Sequence, residues 1–225
     1  MTDAILRLEN INKYFPGVHA LKDVQFDVRP GEVHALLGEN GAGKTTLIKI
    51  ISGVHQPNTG PVYFDGEAVS FNNPREAQKR GIATIYQELG LYPELSVAEN
   101  IFMGHAPKRR LGPFQLLDWA TMEERSKSLL AELDIRDLDV NRKIGTLNVG
   151  NRQRVEITKA LSLDARVLIM DEPTAALTEA DVERLFGIVR LLRKRGVSII
   201  YISHRLQEVF ELADRVTVLR DGQYI

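Results

Sequence analysis

The sequence predicts an α/β fold with a mainly parallel sheet, and three observations support this prediction. Amphipathic helical stretches alternate with apolar runs, and in residues 182–192 the apolar side chains recur at helical spacing. A glycine-rich segment lies between the first apolar run and a helical stretch. The apolar runs themselves suit strands buried on both faces, as in parallel sheets. They stand at residues 33–37, 82–86, 167–170 and 198–202.

Composition excludes several classes of protein. The 225 residues are 44% apolar and 26% charged, which suffices to bury a core. Lys and Arg number 29 against 30 Asp and Glu, so the net charge is −1 and we expect no nucleic-acid partner. The absence of cysteine excludes disulfides and fits a reducing cytoplasm. We expect a chain that is neither membrane-spanning nor exported, because no apolar stretch approaches about 18 residues and no signal peptide begins at residue 1.

The chain is expected to begin with strands. Residues 5–12 alternate loosely between apolar and polar, and residues 24–28 alternate strictly, as in a half-buried antiparallel strand. Tyr14 and Phe15 precede a Pro-Gly turn between these strands. Such a ring can stack on a nucleotide base, although core packing is the commoner role of a single Phe. A short hairpin is predicted at residues 60–66.

The middle of the chain is predicted to be mostly helical. A helix is expected at residues 74–79, before the second apolar run. Capping boxes that begin at Ser96 and Thr121 predict the starts of two further helices. Residues 104–118, which contain three consecutive basic residues, show no periodicity and are expected to form a solvated loop.

The last part of the chain continues the alternation. A basic turn and Gly196 end the helix at residues 182–192. A buried strand at residues 198–202 follows, and then a helix at residues 204–213 and a strand at residues 216–219 are expected.

The glycine-rich segment matches G-x-x-x-x-G-K-[ST], the pattern of a phosphate-binding loop between a strand and a helix. Its glycines let successive backbone N–H groups point at one anion. We expect Lys44 to reach the β- and γ-phosphates of a nucleotide and Thr45 to bind Mg²⁺. A glycine-rich turn with an exposed lysine is the alternative, which the flanking strand and helix disfavour. The predicted nucleotide-binding residues are Gly38, Glu39, Asn40, Gly41, Ala42, Gly43, Lys44, Thr45 and Thr46.

Polar residues stand where three later predicted strands end. They are Gln87, the pair Asp171 and Glu172, and His204. Asp171 suits Mg²⁺ binding through water, and Glu172 suits a base that orients or deprotonates an attacking water. Gln87 suits metal binding or sensing of the γ-phosphate, and His204 suits a hydrogen bond to that phosphate. The alternative for Gln87 and His204 is a purely structural role, because Gln and His often cap helices or hydrogen-bond the nearby backbone.

The order of these motifs resembles that in the nucleotide-binding domain of ATP-binding cassette (ABC) transporters, over essentially the whole chain. The phosphate loop carries this resemblance together with residues 86–88, 147–151, 169–174 and 203–204. Within the family, the sequence is most similar to the N-terminal half of ATPases of bacterial monosaccharide importers, of the ribose, galactose and xylose type. Glu39 and Asn40, with residues 81–88 and 173–178, carry this closer match.

The resemblance implies a P-loop NTPase (RecA-like) core with an N-terminal antiparallel β subdomain and an inserted helical subdomain. Residues 1–225 are expected to form one domain. Its β part is residues 1–30 and 60–72, its core residues 31–95 and 161–225, and its helical subdomain residues 96–160. Because the expected last strand enters a hairpin turn just before Ile225, we expect the natural chain to continue to about twice this length.

The resemblance also implies an ATPase motor subunit that couples ATP hydrolysis to uptake of a sugar. Such a subunit works on the inner face of the cell membrane with transmembrane permease subunits and, indirectly, a periplasmic sugar-binding protein. Two such domains enclose two ATP molecules head to tail. By position, Phe15 matches the aromatic residue that stacks on adenine, with Tyr14 as the second choice. Gln87 matches the residue that couples nucleotide state to the permease, Glu172 the catalytic carboxylate and His204 the switch histidine.

The signature segment of the family, L-S-G-G-Q, is altered in this chain. Residues 147–151 read Leu-Asn-Val-Gly-Asn, so Asn148 stands in place of the usual Ser. In the family this segment donates hydrogen bonds to the ATP held by the partner domain, a role that falls here to Asn148 and Gly150. The longer Asn amide is expected to move the donor by about an ångström, and such a shift lowers a rate by roughly 100-fold. Thr178, at a position where Asp is usual, is a second departure.

Two other functions share parts of this pattern. An ABC ATPase that is not a transporter, acting as an ATP-gated clamp in translation or DNA repair, is the alternative. The balanced charge disfavours it, and residues 91–100 resemble the importer segment that faces membrane subunits. A small-molecule kinase does not explain the Asp171–Glu172 pair, because a kinase needs a site for a hydroxyl acceptor instead of a water-positioning Glu.

Overall fold

The computed structural model describes residues 4–88, 90–111 and 113–225. The strands are β1 (Leu6–Phe15), β2 (Val18–Val28), β3 (Val33–Gly38), β4 (Val62–Phe64), β5 (Glu67–Val69), β6 (Ile82–Ile85), β7 (Lys108–Leu111), β8 (Phe114–Leu117), β9 (Val167–Asp171), β10 (Ser198–Ile202), β11 (Arg215–Arg220) and β12 (Gln223–Tyr224). The α-helices are α1 (Lys44–Ile51), α2 (Pro74–Lys79), α3 (Val97–Ile101), α4 (Trp119–Glu132), α5 (Val149–Leu161), α6 (Glu179–Lys194) and α7 (Leu206–Leu212), and a 3₁₀ turn covers Ile144–Thr146.

A six-stranded sheet forms the centre of the fold, with the strand order β12-β11-β3-β10-β9-β6. Neighbouring strands in it run parallel, except that β12 is antiparallel to β11. The register places Leu36 beside Ile202, and Ile202 beside Asp171, so β3, β10 and β9 end at one edge of the sheet. The predicted mainly parallel sheet is therefore confirmed, and its carboxyl edge brings the segments after these strands together.

The central strands are mainly apolar because both faces of the sheet are covered. In β9, Leu168 and Met170 lie in the core that includes residues of α3 to α6, whereas Val167 and Ile169 lie in the core that includes β1, β2 and α1. Successive side chains of a strand point to opposite faces. Four consecutive apolar residues are therefore what a strand covered on both faces requires.

A second, four-stranded sheet is antiparallel and has the order β2-β1-β4-β5. Its hairpin β1–β2 is longer than the strands predicted at residues 5–12 and 24–28. Gly17, at φ +77°, turns the chain tightly enough for Phe15 to pair with Val18. Register shifts interrupt the pairing, and such bulges remove the strict alternation by which a strand is recognised in sequence.

The capping boxes give one confirmed and one wrong prediction. At Ser96 both bonds are present, since its Oγ accepts from the Glu99 N–H at 3.2 Å and the Glu99 carboxylate accepts from the Ser96 N–H at 2.8 Å. Helix α4 begins at Trp119, before the predicted cap at Thr121. Asp118 is the N-cap, because its carboxylate accepts from the Thr121 N–H at 3.2 Å.

Strands β7 and β8, residues 108–111 and 114–117, pair antiparallel and form a sheet of their own. The prediction of a loop at residues 104–118 is therefore wrong in its backbone conformation. The side chains of β8 are all exposed. Sequence alternation marks a strand by its one buried face, and a hairpin without such a face gives no signal.

Several shorter predictions are confirmed. The helix at residues 74–79 is α2, the hairpin at residues 60–66 is β4–β5, and the last predicted strand enters the hairpin β11–β12. Within the parts of the chain that the structure describes, no helix is both long and apolar enough to cross a bilayer.

Candidate functional site

The glycine-rich segment links the end of β3 to the start of α1, as the phosphate-loop pattern predicts. Gly38 has φ +153° and Gly43 has φ +104°, values that L side chains rarely adopt. A Cβ on Gly38 would clash with the carbonyl oxygen of Leu219, and a Cβ on Gly43 would lie 2.9 Å from the carbonyl oxygen of Ala20. Glycine at both positions therefore lets the loop pack closely against β11 and β2. The loop leads into the N-terminus of α1, where N–H groups and the helix dipole favour an anion.

Lys44 lies across this loop. Its Nζ donates to the carbonyl oxygens of Gly38 at 2.6 Å and Glu39 at 3.0 Å. The loop borders a cleft of about 350 Å³ whose other walls come from residues 18–20 and Lys22 of β2 and from the turn at Asp221 and Gly222. A glycine-rich loop, a cation and an adjoining cleft fit the phosphates and sugar of a nucleotide.

The two predicted aromatic residues lie in different surroundings. The Tyr14 ring stacks on His19, with ring centroids 4.0 Å apart, and His19 lines the cleft beside the phosphate loop. The Phe15 ring meets His55 edge-on at 5.4 Å and has the Lys13 Nζ 5.4 Å from its centroid. Adjacent strand residues point to opposite faces, so only one of the two rings is directed to the side of His19. Sequence reasoning missed His19, because its position depends on the register of the β1–β2 hairpin.

The acidic pair lies at the same edge of the sheet as the phosphate loop. Asp171 is the last residue of β9, and Glu172 follows with φ +46°, an uncommon value for a non-glycine residue. The Glu172 N–H donates to the carbonyl oxygen of Ile202 at 3.0 Å, which holds this turn against β10. The Glu172 Oε1 lies 3.3 Å from the His204 Nδ1. The structure thus brings together two of the residues predicted to serve catalysis.

Electrostatics at this edge fit a bound cation. Burial and the neighbouring Glu172 carboxylate raise the pKa of Asp171, and the Lys44 ammonium opposes the rise. The described residues contain no cluster of three or more His, Cys, Asp or Glu that would hold a metal by itself. Mg²⁺ typically takes one or two protein oxygens together with nucleotide phosphates and water. Asp171 and the Thr45 hydroxyl, which lines the loop cleft, are donors of that kind.

Gln87 lies two residues beyond the end of β6, the strand that pairs with β9 at the border of the sheet. Ile85 of β6 pairs with Met170, so Gln87 extends past the same edge as Asp171. Its side chain is exposed. We call the phosphate loop (residues 38–46), Asp171, Glu172 and His204 the strand-end site, and Gln87 borders it.

A buried carboxylate behind the strand-end site was not predicted. Glu208 of α7, which is 5% exposed, accepts hydrogen bonds from Thr174 Oγ1 at 2.7 Å, Tyr201 Oη at 2.9 Å and Ser203 Oγ at 2.9 Å. Burial, and then the Glu208 carboxylate, raise the pKa of Tyr201, which keeps this hydroxyl a donor. Glu208 therefore joins the segment after Glu172 to the segment before His204. Its only sequence signal is its place beside buried Val209, which does not distinguish it from a surface Glu.

The altered signature segment lies at the start of α5. Asn148 is the N-cap, and its Oδ1 accepts from the Asn151 N–H at 2.8 Å. A Cβ on Gly150 would lie 2.5 Å from the carboxyl carbon of Asp181, so α5 and α6 approach closely there. Neither Asn148 nor Gly150 lines the cleft beside the phosphate loop. The structure therefore does not bring these two predicted nucleotide-binding residues into the cleft beside the phosphate loop.

The parallel sheet, the loop between β3 and α1 and the acidic end of β9 define a nucleotide-binding domain of the P-loop class. The family model described as ABC transporter matches residues 21–175. The chain belongs to the ABC transporter family, as the sequence resemblance predicted.

Curated relatives support the closer resemblance. The chain is 52% identical to the ribose import ATP-binding protein RbsA 1 of Streptomyces coelicolor, over 98% of this chain and 43% of the relative. It is also 52% identical to a putative ribose/galactose/methyl galactoside import ATP-binding protein of Burkholderia cenocepacia, over 100% of this chain and 42% of the relative. The chain thus spans less than half the length of these relatives.

Solved structures confirm the predicted fold class. A nucleotide-free ATP-binding cassette from an ABC transporter is 31% identical, with a TM-score of 0.87 over 99% of this chain and 90% of that chain. The ADP conformation of another cassette is 32% identical, with a TM-score of 0.87 over 100% and 90% of the two chains. A dimeric cassette bound to ADP and phosphate is 26% identical, with a TM-score of 0.80 over 97% and 96%.

Proposed function

We propose that this chain is the ATP-binding and ATP-hydrolysing motor domain of an ABC importer that takes up a sugar across the cytoplasmic membrane. The observation that carries the proposal is the meeting of the phosphate loop with the Glu172–His204 pair at one edge of the sheet. The substrate class rests on the relatives, whose names state import of ribose, galactose or methyl galactoside.

In this proposal residues 38–46 bind the phosphates of ATP through backbone N–H groups, and Lys44 neutralises part of their charge. The positive φ angles of Gly38 and Gly43, between β3 and α1, support this role. The adenine ring stacks on Phe15, or on Tyr14 as the second choice. The stacking of Tyr14 on His19, beside the loop cleft, supports the second choice.

Thr45, Asp171 and Gln87 are the proposed Mg²⁺ ligands, directly or through water. The ion would offset charge on the phosphates. The half-buried carboxylate of Asp171, beside Glu172, supports a cation at this place.

Glu172 is the proposed base. Its carboxylate orients a water and accepts a proton from it as the water oxygen attacks the γ-phosphorus and ADP leaves. His204, 3.3 Å from that carboxylate, holds the Glu172 side chain in place and reaches the γ-phosphate. Gln87 reports the state of the nucleotide to the permease.

A second nucleotide-binding domain completes the site in this proposal. Asn148 and Gly150 of one domain contact the ATP held by the other, which the position of α5 outside the loop cleft supports. The dimeric relative is a precedent for such pairing. The other proposed partners are transmembrane permease subunits and, through them, a periplasmic sugar-binding protein, so the chain works at the inner face of the membrane.

We also propose the division of the domain into three parts. The antiparallel sheet supports a β part of residues 1–30 and 60–72. The parallel sheet supports a core of residues 31–95 and 161–225, and helices α3 to α5 support a helical subdomain of residues 96–160.

Single-turnover hydrolysis of ATP by the purified chain tests the proposal. With Mg²⁺ present, Glu172→Gln should bind ATP as tightly as the wild type and hydrolyse it on the order of 100-fold or more slowly, because the base is lost. Glu183→Gln, an exposed carboxylate on α6, is the matched control and should retain the wild-type rate. Wild-type turnover by Glu172→Gln would remove the catalytic role from this residue.

Uptake by cells tests the transport part of the proposal. Deletion of the gene should abolish uptake of a labelled monosaccharide of the ribose, galactose or xylose type. The wild-type gene should restore it, and the Glu172→Gln gene should not. Unchanged uptake of all three sugars in the deletion strain would contradict the importer.

A further inference from the structure

The hairpin β7–β8 is an isolated ribbon on the surface. Within the described parts of the chain, residues 108–111 and 114–117 pair only with each other, with Lys108 opposite Leu117, Arg109 opposite Leu116 and Arg110 opposite Gln115. We call residues 108–111 and 114–117 the basic hairpin. Its strands lie between α3 and α4 along the chain, outside the strand-end site.

The basic hairpin exposes apolar side chains. Because they are not buried, they contribute little to folding. Phe114 is 68% exposed, and Leu116 and Leu117 are each 42% exposed. Directly opposite residues lie on the same face of an antiparallel pair, and the face alternates along each strand. Phe114 and Leu116 therefore share a face with Arg109, while Leu117 shares the other with Lys108 and Arg110.

The charge of the basic hairpin is available to an external partner. Among the residues that the structure describes, none of the three cations Lys108, Arg109 and Arg110 forms an ion pair. The other run of three consecutive cations, residues 193–195, differs, because Arg193 pairs with Asp214 and Arg195 with Glu132. Three uncompensated positive charges beside exposed aromatic and aliphatic groups suit a surface that is anionic and has an apolar interior.

We propose that the basic hairpin binds the anionic lipid surface of the membrane. This inference rests on the proposed function, which places the chain beside a membrane. The cytoplasmic leaflet is negatively charged and attracts each Lys or Arg near it. The cytoplasmic loops of membrane proteins, in contrast, carry an excess of Lys and Arg. The charge of the hairpin therefore favours lipid head groups over the loops of a permease.

Charged contacts alone or apolar contacts alone do not suffice for membrane binding, and the hairpin combines both. Basic residues gather at the head groups, whereas Phe and Leu side chains enter the boundary with the acyl chains. Trp119, 51% exposed and two residues beyond β8, is a residue type that prefers this interface. It is also the single tryptophan of the chain, so its fluorescence reports on this part of the surface alone.

The test is binding of the purified chain to vesicles, followed by sedimentation and by Trp119 fluorescence. One set of vesicles is phosphatidylcholine, and the other is equal parts phosphatidylcholine and phosphatidylglycerol. We expect binding to the anionic vesicles only, a blue shift of Trp119, quenching by brominated phosphatidylglycerol, and release by salt. Absence of binding, or equal binding to neutral vesicles, would overturn the proposal.

Two variants separate the charged from the apolar contribution. Replacing residues 108–110 by Gln should lower the partition coefficient on the order of 100-fold, at about fivefold for each charge. Phe114→Ser with Leu116→Ser should lower it by about tenfold and remove the blue shift. The matched control replaces Arg75, Lys79 and Lys127, three exposed cations elsewhere, by Gln. An equal loss of vesicle binding in the control would show that binding depends on net charge and not on the hairpin, and would overturn the proposal.

The outcome is independent of nucleotide chemistry. Lys44→Ala, which removes the proposed phosphate contact, should bind the vesicles like the wild type, and both hairpin variants should keep the wild-type single-turnover rate. Failure of the hydrolysis test alone would thus leave lipid binding measurable. A different result would assign the hairpin to a protein partner and overturn the lipid proposal. In that case the chain would not bind lipid vesicles, but replacing residues 108–110 would abolish its binding to permease-containing membranes.

Discussion

The strand-end site and the start of α5 are built in opposite ways. In the strand-end site two segments are fixed by other parts of the chain: the main chain of Ile202 holds Glu172, and buried Glu208 holds the segment before His204. At the start of α5, the Asn148 side chain caps the helix to which it belongs, and the neighbouring Val149 is exposed.

The difference shows which surface is complete by itself. Groups that are fixed by other parts of the chain are preorganised for chemistry. A helix start whose side chains cap only their own helix offers N–H groups and a dipole to a second molecule. The comparison therefore supports the proposal that nucleotide and water bind at the strand-end site and that a partner contacts the start of α5.

Lys44→Ala should have the largest effect. It removes a cation whose charge-assisted hydrogen bonds to phosphate are each worth about 1.5–3 kcal/mol, so the affinity for ATP should fall by about 100-fold or more. Isothermal titration with ATP measures this. Lys49→Ala, on the same helix outside the loop, is the control. If Lys44→Ala kept wild-type affinity, the loop would not be the phosphate site.

Glu208→Gln should have the second-largest effect. The amide cannot accept from all three hydroxyl donors, so the turns that carry Glu172 and His204 loosen and the hydrolysis rate should fall by about tenfold while ATP affinity stays nearly constant. The free energy of unfolding should also fall by about 2 kcal/mol.

Two comparisons distinguish positioning by Glu208 from a purely structural role. Glu208→Asp should recover part of the rate, and Glu211→Gln, which breaks an ion pair on the surface of the same helix, should leave it unchanged. A loss of stability with an unchanged rate per folded molecule would show that Glu208 has no part in positioning.

Asn148→Ser should have a smaller effect, of opposite sign. Ser caps a helix as well as Asn does, so stability should not change and only the donor offered to a partner differs. ATP turnover at high protein concentration should rise by about threefold to tenfold, since the shorter side chain restores the donor position. An unchanged turnover would show that the signature segment is not the cause of weak activity.

Asp137→Asn should have the smallest effect, by loosening α5. Two hydrogen bonds at 2.8 and 2.9 Å join Asp137 to Arg154 of α5, and the guanidinium lowers the pKa of Asp137 below its ordinary value of 3.8. A lowered pKa contributes stability above that ordinary value, which is lost as the pH falls through the folded-state pKa. Because Asp137 is largely exposed, the loss at neutral pH should be below about 1 kcal/mol.

Urea unfolding at several pH values measures this effect. The difference between the wild type and Asp137→Asn should be present at neutral pH and should shrink as the pH falls below about 4. A difference that is constant with pH would mean that the pair acts through packing instead of charge.

Features that depend on neighbouring residues were predictable from the sequence. The phosphate loop, the doubly buried strand before Asp171 and the capping box at Ser96 each follow from a few adjacent residues. Their backbone is dictated by local hydrogen bonds, glycine conformations and the burial of both strand faces.

Features that depend on distant residues were not predictable. Glu208 meets Thr174 across 34 positions of sequence, and the pairing of Tyr14 with His19 depends on bulges in the hairpin. The basic hairpin was missed for another reason, because no buried face imposes alternation on it. Asp118 is the N-cap where Thr121 was expected, since both residue types are good N-caps and the sequence pattern does not distinguish them.

The hairpin β11–β12 lies directly behind the phosphate loop. The Gly222 N–H donates to the carbonyl oxygen of Ala42 at 3.2 Å, and the Gly222 carbonyl oxygen accepts from the Lys22 N–H at 2.7 Å. A ligand that orders the loop should therefore also stabilise this turn, because the two are joined by a hydrogen bond. Hydrogen–deuterium exchange at the Gly222 amide should slow when a nucleotide binds, so this neighbouring turn reports whether the loop is occupied.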